Sequence, residues 1–189
     1  MKLTVKEMVL VSMFAALACL GALLLRVGGT GIVPYSILPF VVLLAGAMLG
    51  SRLGALSLTV YVALGLVGVP VFASAPYGGI AYLVSPTAGF LFGYIGAAYA
   101  TGRIVEILGK NTVRTYLLAS CAGLVVLYLI GLPYLYVVLN YFVGKAVNVM
   151  GILKIGLLPF IGFDLVKALI VSLVTVSVMK QAKTGRFSL

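Results

Sequence analysis

The sequence has no histidine, no tryptophan and only three acidic residues among its 189 positions. Without histidine, neither a His-Glu-x-x-His zinc site nor a Ser-His-Asp or Cys-His catalytic arrangement can form. No paired carboxylates are available to hold Mg²⁺, and no Walker A motif is present to bind ATP. We therefore predict a protein that is not an enzyme and has no catalytic residue, metal site or cofactor.

Charge is also scarce, at 8% of residues against 63% hydrophobic residues, and the mean hydropathy is +1.28. Soluble domains are about one quarter charged. Uncharged stretches cover residues 8–25, 53–102 and 115–144, and about 20 apolar residues suffice to cross a bilayer. We predict one integral membrane domain over residues 1–189. The N-terminus lacks an Ala-x-Ala-like cleavage site, so its apolar segment is interpreted as a retained helix.

Basic residues give a net charge of +10, but they form short clusters between apolar blocks, which argues against nucleic-acid binding. An excess of Lys and Arg marks the cytoplasmic loops of membrane proteins. Placing both termini in the cytoplasm puts nine basic residues inside, namely Lys2, Lys6, Arg52, Arg103, Lys110, Arg114, Lys180, Lys183 and Arg186. Three lie outside, namely Arg26, Lys145 and Lys154.

Glycine, proline and charged residues divide the chain into six apolar segments. These segments predict an all-α bundle of six membrane-spanning helices. We predict helices over residues 5–26, 36–51, 53–67, 86–107, 113–138 and 155–180, with Pro34 and Pro39 near the start of the second and a corner at residues 50–52. Residues 69–79 and 139–154 are longer than simple turns and fall on the outer face. They either cover an outward-facing pocket, as buried non-helical backbone would, or form solvated loops.

Asp164 and Lys167 are the charged residues inside the apolar stretch 155–179. Their spacing of three places them on one helix face. Each ionised side chain at the bilayer centre costs roughly 2.5–3.5 kcal/mol, which makes an intramembrane pair a candidate functional site. The lysine could hold a carboxylate and the aspartate could accept a ring N–H. The alternative is that the two residues only neutralise each other.

Small residues recur at a spacing of four, which allows helices to approach closely. Most such pairs predict internal packing: Gly46/Gly50, Gly89/Gly93 and Gly93/Ala97. On the first helix, the pairs Ser12/Ala16 and Ala18/Ala22 predict either internal packing or docking of a partner subunit. Among the aromatic residues, Tyr77, Tyr82 and Phe90 flank the first outer segment and could form walls around a flat ligand.

Several ordered segments resemble the BioY family, the biotin-binding S components of energy-coupling factor (ECF) vitamin importers. The resemblance covers nearly the whole chain and is carried by residues 42–55 (VLLAGAMLGSRLGA), 65–73 (GLVGVPVFA), 78–79 (GG), 85–93 (SPTAGFLFG) and 158–167 (LPFIGFDLVK). The last segment is similar to the family pattern Pro-Phe-x-Pro-Gly-Asp-x-x-Lys.

The sequence departs from the family pattern in three segments. Leu38 stands where the family has glutamine, Gly162-Phe163 replaces Pro-Gly, and residues 86–90 read PTAGF in place of Pro-Thr-Gly-Gly-Tyr. The lost polar group at Leu38 and the lost hydroxyl at Phe90 bear on the identity of the ligand more than on the fold.

The resemblance implies a six-helix S component in a prokaryotic cell membrane that takes up biotin without chemistry of its own. The implied substrate-binding residues are Asp164, Lys167, Tyr82, Phe90, Thr87, Ser36 and Gly79. The implied partners are an ECF transmembrane coupling protein, docked through Ser12, Ala16, Ala18 and Ala22, and two cytoplasmic ATPases. The alternatives are an S component for another vitamin and an assembly subunit without a transport role.

Overall fold

The computed structural model describes residues 3–32 and 36–183, and within these ranges it contains helices and no strands. The helices are α1 (Val5–Ile32), α2 (Leu38–Leu66), α3 (Ala88–Leu108), α4 (Val113–Val137), α5 (Val149–Gly156) and α6 (Leu158–Lys183). A 3₁₀ helix covers Ile80–Val84, and a π-helical turn covers Val138–Phe142. Lys2 and Arg186, which were used to predict the orientation, and Pro34, which was predicted to lie near the start of the second helix, are outside the described residues.

Four of these elements are long and apolar enough to cross a membrane. They are Val5–Arg26 of α1, all of α2, the segment Val113–Phe142 and Leu158–Gln181 of α6. The prediction of an all-helical protein with several apolar helices is confirmed. The short α5 lies within and just beyond the second predicted outer segment, which is therefore partly helical.

Helix α2 is broken at Gly50, whose backbone has φ 81° and ψ −178°. A Cβ built on Gly54 would lie 2.9 Å from the Cα of Gly46. Eight residues of continuous helix would separate those positions by about 12 Å, so the two arms of α2 fold back on each other. The predicted second and third helices are these two arms, and the predicted corner at residues 50–52 is confirmed.

The corner is closed by Glu106 from α3. Its Oε1 accepts hydrogen bonds from the Ser51 backbone N–H at 2.7 Å and from the Ser51 hydroxyl at 2.8 Å. Arg103 lies 3.5 Å from its other oxygen. The first N–H groups of a helix have no partner within the helix and favour negative charge. Glu106 therefore serves as the cap for the second arm of α2.

Close helix packing occurs where small residues were predicted to allow it. A Cβ on Gly46 would meet the Ala98 carbonyl oxygen at 2.4 Å. A Cβ on Gly89 would meet the Tyr134 side chain at 2.2 Å, and one on Gly93 would meet Leu127 at 2.9 Å. The glycines of α2 and α3 thus serve internal packing, because a larger residue would force these helices apart.

The two small-residue pairs on α1 divide between two environments. Ser12 and Ala16 are exposed, whereas Ala18 and Ala22 are fully buried, at 0% exposure. A side chain inside the bundle cannot contact another subunit. The prediction that Ala18 and Ala22 dock a partner is therefore wrong, and of the four residues only Ser12 and Ala16 remain available for docking.

Candidate functional site

A cavity of about 660 Å³ lies at the end of the bundle opposite the Gly50 corner. This volume falls in the range of roughly 300–1,000 Å³ that is typical of small-molecule sites. Residues of α1, both arms of α2, α3, α4, α5 and α6 line it, together with the segment after α2. Six of the seven predicted substrate-binding residues meet there: Ser36, Tyr82, Thr87, Phe90, Asp164 and Lys167.

The connection after α2 is a packed structure that covers one side of the cavity. Phe72 is fully buried, and its ring lies 4.4 Å from that of Tyr82. Its backbone N–H donates to the Tyr77 carbonyl at 2.8 Å. Ala73, Ser74 and Tyr77 contribute to the lining. Of the two interpretations left open by the sequence, the structure supports a loop that covers a pocket.

Gly65 shows why this loop needs a small residue beneath it. A Cβ at Gly65 would lie 2.0 Å from the Phe72 ring, so the loop rests directly on the backbone of α2. The Gly65 carbonyl also accepts a hydrogen bond from the Gly79 N–H at 2.7 Å. With φ of 85°, Gly79 has the left-handed backbone that favours glycine.

Gly79 is therefore a loop-forming residue and does not line the cavity. This position corrects the prediction that Gly79 is a substrate-binding residue. The reason is geometric, since its backbone is committed to holding the loop on Gly65.

Three hydroxyl groups form a connected cluster on the cavity lining. The Tyr82 hydroxyl lies 2.9 Å from Thr87 Oγ1 and 3.0 Å from Ser74 Oγ. Ser85 Oγ, outside the lining, adds a contact of 2.8 Å to Thr87 Oγ1. Each hydroxyl can donate one hydrogen bond and accept others. The cluster can thus reorient its hydrogens to suit either a donor or an acceptor on a ligand.

Asp164 and Lys167 carry the charge within the cavity on α6. Lys167 Nζ lies 2.7 Å from Asp164 Oδ1 and donates to the Ser36 carbonyl, also at 2.7 Å. The Tyr128 hydroxyl of α4 donates to Asp164 Oδ2 at 2.5 Å. Asp164 is only 3% exposed. Both carboxylate oxygens therefore have a donor, as a buried ion requires.

Sequence reasoning missed several residues of this site. Tyr128, Tyr94 and Arg26 all line the cavity, and none was selected. A tyrosine inside an apolar helix carries no local signal that it reaches a carboxylate 36 positions away. Arg26 was interpreted only as an outer basic residue.

The departures from the family pattern fall in different places. Leu38 and Phe90 line the cavity. Gly162 and Phe163 are exposed, and a Cβ on Gly162 would meet nothing within 4 Å. The change at 162–163 therefore lies outside the lining, whereas Leu38 makes the cavity less polar than a glutamine would.

The second connection is held together by Asn140. Its side-chain amide donates to the carbonyls of Tyr136 and Val147 at 3.0 Å, and its oxygen accepts from the Val147 N–H at 3.0 Å. Leu139 of this segment lines the cavity, as do Ile155 and Gly156 at the end of α5. Both predicted outer segments thus take part in the cavity.

A second concavity of about 480 Å³ runs along α4 and α6. Its lining is apolar apart from the side chains of Cys121 and Tyr128, and it includes the exposed residues Val125, Leu129 and Leu165. Tyr128 also belongs to the lining of the main cavity. One aromatic side chain thus contributes to both spaces.

The apolar helices, the packed loops and the enclosed ion pair together define a multi-pass membrane protein with an internal ligand-sized cavity. The family model described as "BioY family" matches residues 1–184. The chain belongs to the BioY family.

Individual relatives agree with this assignment. The chain is 34% identical over 175 residues to the biotin transporter BioY of Thermotoga maritima, covering 93% of this chain and 96% of the relative. It is 33% identical over 180 residues to a probable biotin transporter BioY of Lysinibacillus sphaericus, covering 95% and 90%. A probable biotin transporter BioY of Pyrococcus horikoshii is 40% identical over 163 residues, covering 86% and 90%.

A solved structure has the same fold. The crystal structure of the S-component for biotin from an ECF-type ABC transporter matches with a TM-score of 0.77 at 20% identity. The match covers 95% of this chain and 96% of the other.

Proposed function

We propose that this chain is the substrate-binding membrane subunit for biotin uptake. It captures biotin in the cavity at the outer face and delivers it inward with the help of an energy-coupling module. The observation that carries the proposal is the buried Asp164–Lys167 pair, joined by Tyr128, on the wall of a cavity of about 660 Å³. The names of the relatives point to the same ligand.

The chemistry of biotin suits this lining. Its ureido ring offers two N–H donors and one carbonyl, and its flexible tail ends in a carboxylate. The Asp164 carboxylate can accept from a ring N–H, and the Ser74–Tyr82–Thr87 hydroxyls can donate to a carbonyl. The Phe90 and Tyr94 side chains supply apolar surface for the fused rings and the tail. No covalent step is required.

A titration of the purified full-length protein with biotin tests the proposal. Saturable binding is expected for the wild type and a large loss for Asp164→Asn and Lys167→Ala. Leu173→Ala is a matched control, because it alters an exposed side chain on the same helix outside the cavity lining. A folded wild type without biotin affinity would overturn the biotin assignment and leave another small vitamin as the ligand. Normal binding in both site variants would show that the ion pair only neutralises itself and that the site lies elsewhere.

We further propose six membrane passes with both termini in the cytoplasm of a prokaryotic cell. The arms of α2 would supply two passes and α1, α3, α4 and α6 the others. The excess of nine basic residues against three supports the orientation. The partly exposed ion pair of Arg103 and Glu106 beside Ser51 supports a corner at the cytoplasmic membrane surface, because charged groups are costly within the hydrocarbon. Single cysteines at Lys110 and Lys154 should react with an impermeant thiol reagent from opposite sides.

The energy for uptake would come from partners. We propose that the exposed Ser12 and Ala16 on α1 contact a transmembrane coupling protein, which is itself driven by two cytoplasmic ATPases. The small side chains would let a partner helix approach closely. Crosslinking from a cysteine at Ala16 in cells that express the coupling module tests this contact. A crosslink from Leu24, exposed two turns further along α1, serves as the comparison.

A further inference from the structure

The charges on the cavity wall do not balance. In the part of the chain that the structure describes, the charged residues of the lining are Arg26, Asp164 and Lys167. Asp164 and Lys167 form an ion pair at 2.7 Å and neutralise each other. Arg26 is left as an uncompensated positive charge. A cavity with a net charge of +1 favours a ligand that carries one negative charge.

Arg26 sits at the mouth of the cavity. It lines the cavity and is at the same time exposed. Its guanidinium carbon lies 3.9 Å from the centre of the Tyr77 ring, and Tyr77 belongs to the loop that covers the cavity. Among the described residues, neither ion pair involves Arg26. Cation–π contacts at exposed sites are weak, and Arg26 is exposed. The N–H groups of its guanidinium remain able to donate.

Lys167 is less suited to receive a carboxylate. Two of its three N–H donors are already used, one by Asp164 and one by the Ser36 carbonyl. A ligand carboxylate at that end would also lie next to the carboxylate of Asp164, and like charges at close range repel. The guanidinium of Arg26 offers a planar fork that binds a carboxylate through two parallel hydrogen bonds.

We propose that Arg26 binds the carboxylate at the end of the ligand's tail and thereby selects a monocarboxylate. The neutral polar ring then lies at the Asp164–Tyr128 end, and Tyr77 packs beside the tail under the covering loop. This inference rests on the proposed function, since it assigns the two ends of biotin to two ends of the same cavity.

The test compares two ligands on the purified full-length protein: biotin, and biotin amide, in which the carboxylate is replaced by a neutral carboxamide. The wild type should bind biotin about tenfold to a hundredfold more tightly than the amide, as expected for a charge-assisted contact. Arg26→Gln should lower the affinity for biotin by the same factor and leave the affinity for the amide unchanged. Lys154→Gln, which removes an exposed charge outside the cavity lining, should alter neither.

Three outcomes would overturn the inference, and they are distinguishable. Equal loss of both ligands in Arg26→Gln would mean that Arg26 only holds Tyr77 and its loop. If Arg26→Gln still binds biotin more tightly than biotin amide, and Lys167→Met binds the two equally, the carboxylate lies at Lys167. A wild type that binds neither ligand would reject the proposed function together with this inference.

Discussion

Lys167 and Ser36 are 131 positions apart in the sequence, yet the Lys167 ammonium donates to the Ser36 carbonyl at 2.7 Å. The same ammonium lies 2.7 Å from Asp164. One side chain thus links α6 to the segment that precedes α2 and neutralises the buried acid beside it. The ion pair is therefore part of both the cavity wall and the scaffold, and these two roles are separable by experiment.

Removing one member of the pair should destabilise the protein more than removing both. Asp164→Asn or Lys167→Met leaves a buried charge without its partner, which costs about 3–5 kcal/mol. The double variant leaves no unpaired ion and should recover much of that loss. Apparent melting temperatures of the purified variants measure this.

Biotin titration of the same double variant distinguishes the structural role of the ion pair from its role in ligand binding. We expect it to be folded and to bind no biotin. A double variant that still binds would show that the pair acts only in the scaffold.

Tyr128→Phe removes one of the two donors to Asp164. The loss of a hydrogen bond to a charged group should cost about 1.5–3 kcal/mol and weaken ligand binding, because the carboxylate is no longer fixed in position. Tyr116→Phe makes the same change in a buried tyrosine of α4 that does not line the cavity. Biotin affinity should fall in the first variant and stay unchanged in the second; equal affinities would contradict the role given to Tyr128.

The corner of α2 should not tolerate a side chain. Gly50→Ala places a Cβ 2.8 Å from Glu106 Oε1 on a backbone with φ of 81°, so the strain should destabilise the fold by about 1–3 kcal/mol. Gly162→Ala is the control, since its Cβ would meet nothing within 4 Å and the residue lies in α6. Melting temperatures should fall for the first variant only, and a stable Gly50→Ala would argue against the corner.

A tryptophan at two positions of α1 should give opposite results. Ala16→Trp enlarges an exposed position, so biotin binding should survive while energised uptake in cells is lost. Ala18→Trp forces a large ring into a site with 0% exposure, and overpacking of this kind costs at least about 1–3 kcal/mol. Its yield of folded protein should fall. Unimpaired uptake by Ala16→Trp would exclude this face of α1 as the docking surface.

The sequence was sufficient to predict the helices and the charged pair at the centre of the candidate site. In a bilayer, the backbone N–H and C=O groups of a long uncharged run can be satisfied within the same segment by a helix. Within such a helix, two opposite charges three positions apart share one face. It was also sufficient for the corner, because glycine followed by a polar residue interrupts an apolar run at residues 50–52.

What the sequence could not give was the direction in which individual side chains point. The spacing of four in Ser12/Ala16 and Ala18/Ala22 is identical, yet only rotation about the axis of α1 decides which pair is buried. Likewise, Gly79 belongs to a Gly-Gly pair that resembles the family pattern, but its role in holding the loop depends on a hydrogen bond to the Gly65 carbonyl of α2. Such facts depend on tertiary contacts that no local pattern encodes.

The position of Tyr128 has a consequence for how the cavity is insulated. This side chain belongs both to the cavity that holds the ion pair and to the apolar concavity on α4 and α6, so it forms part of the wall between the two. Its hydroxyl anchors it by the bond to Asp164. A substitution that removes this ring therefore changes the wall of both spaces at once.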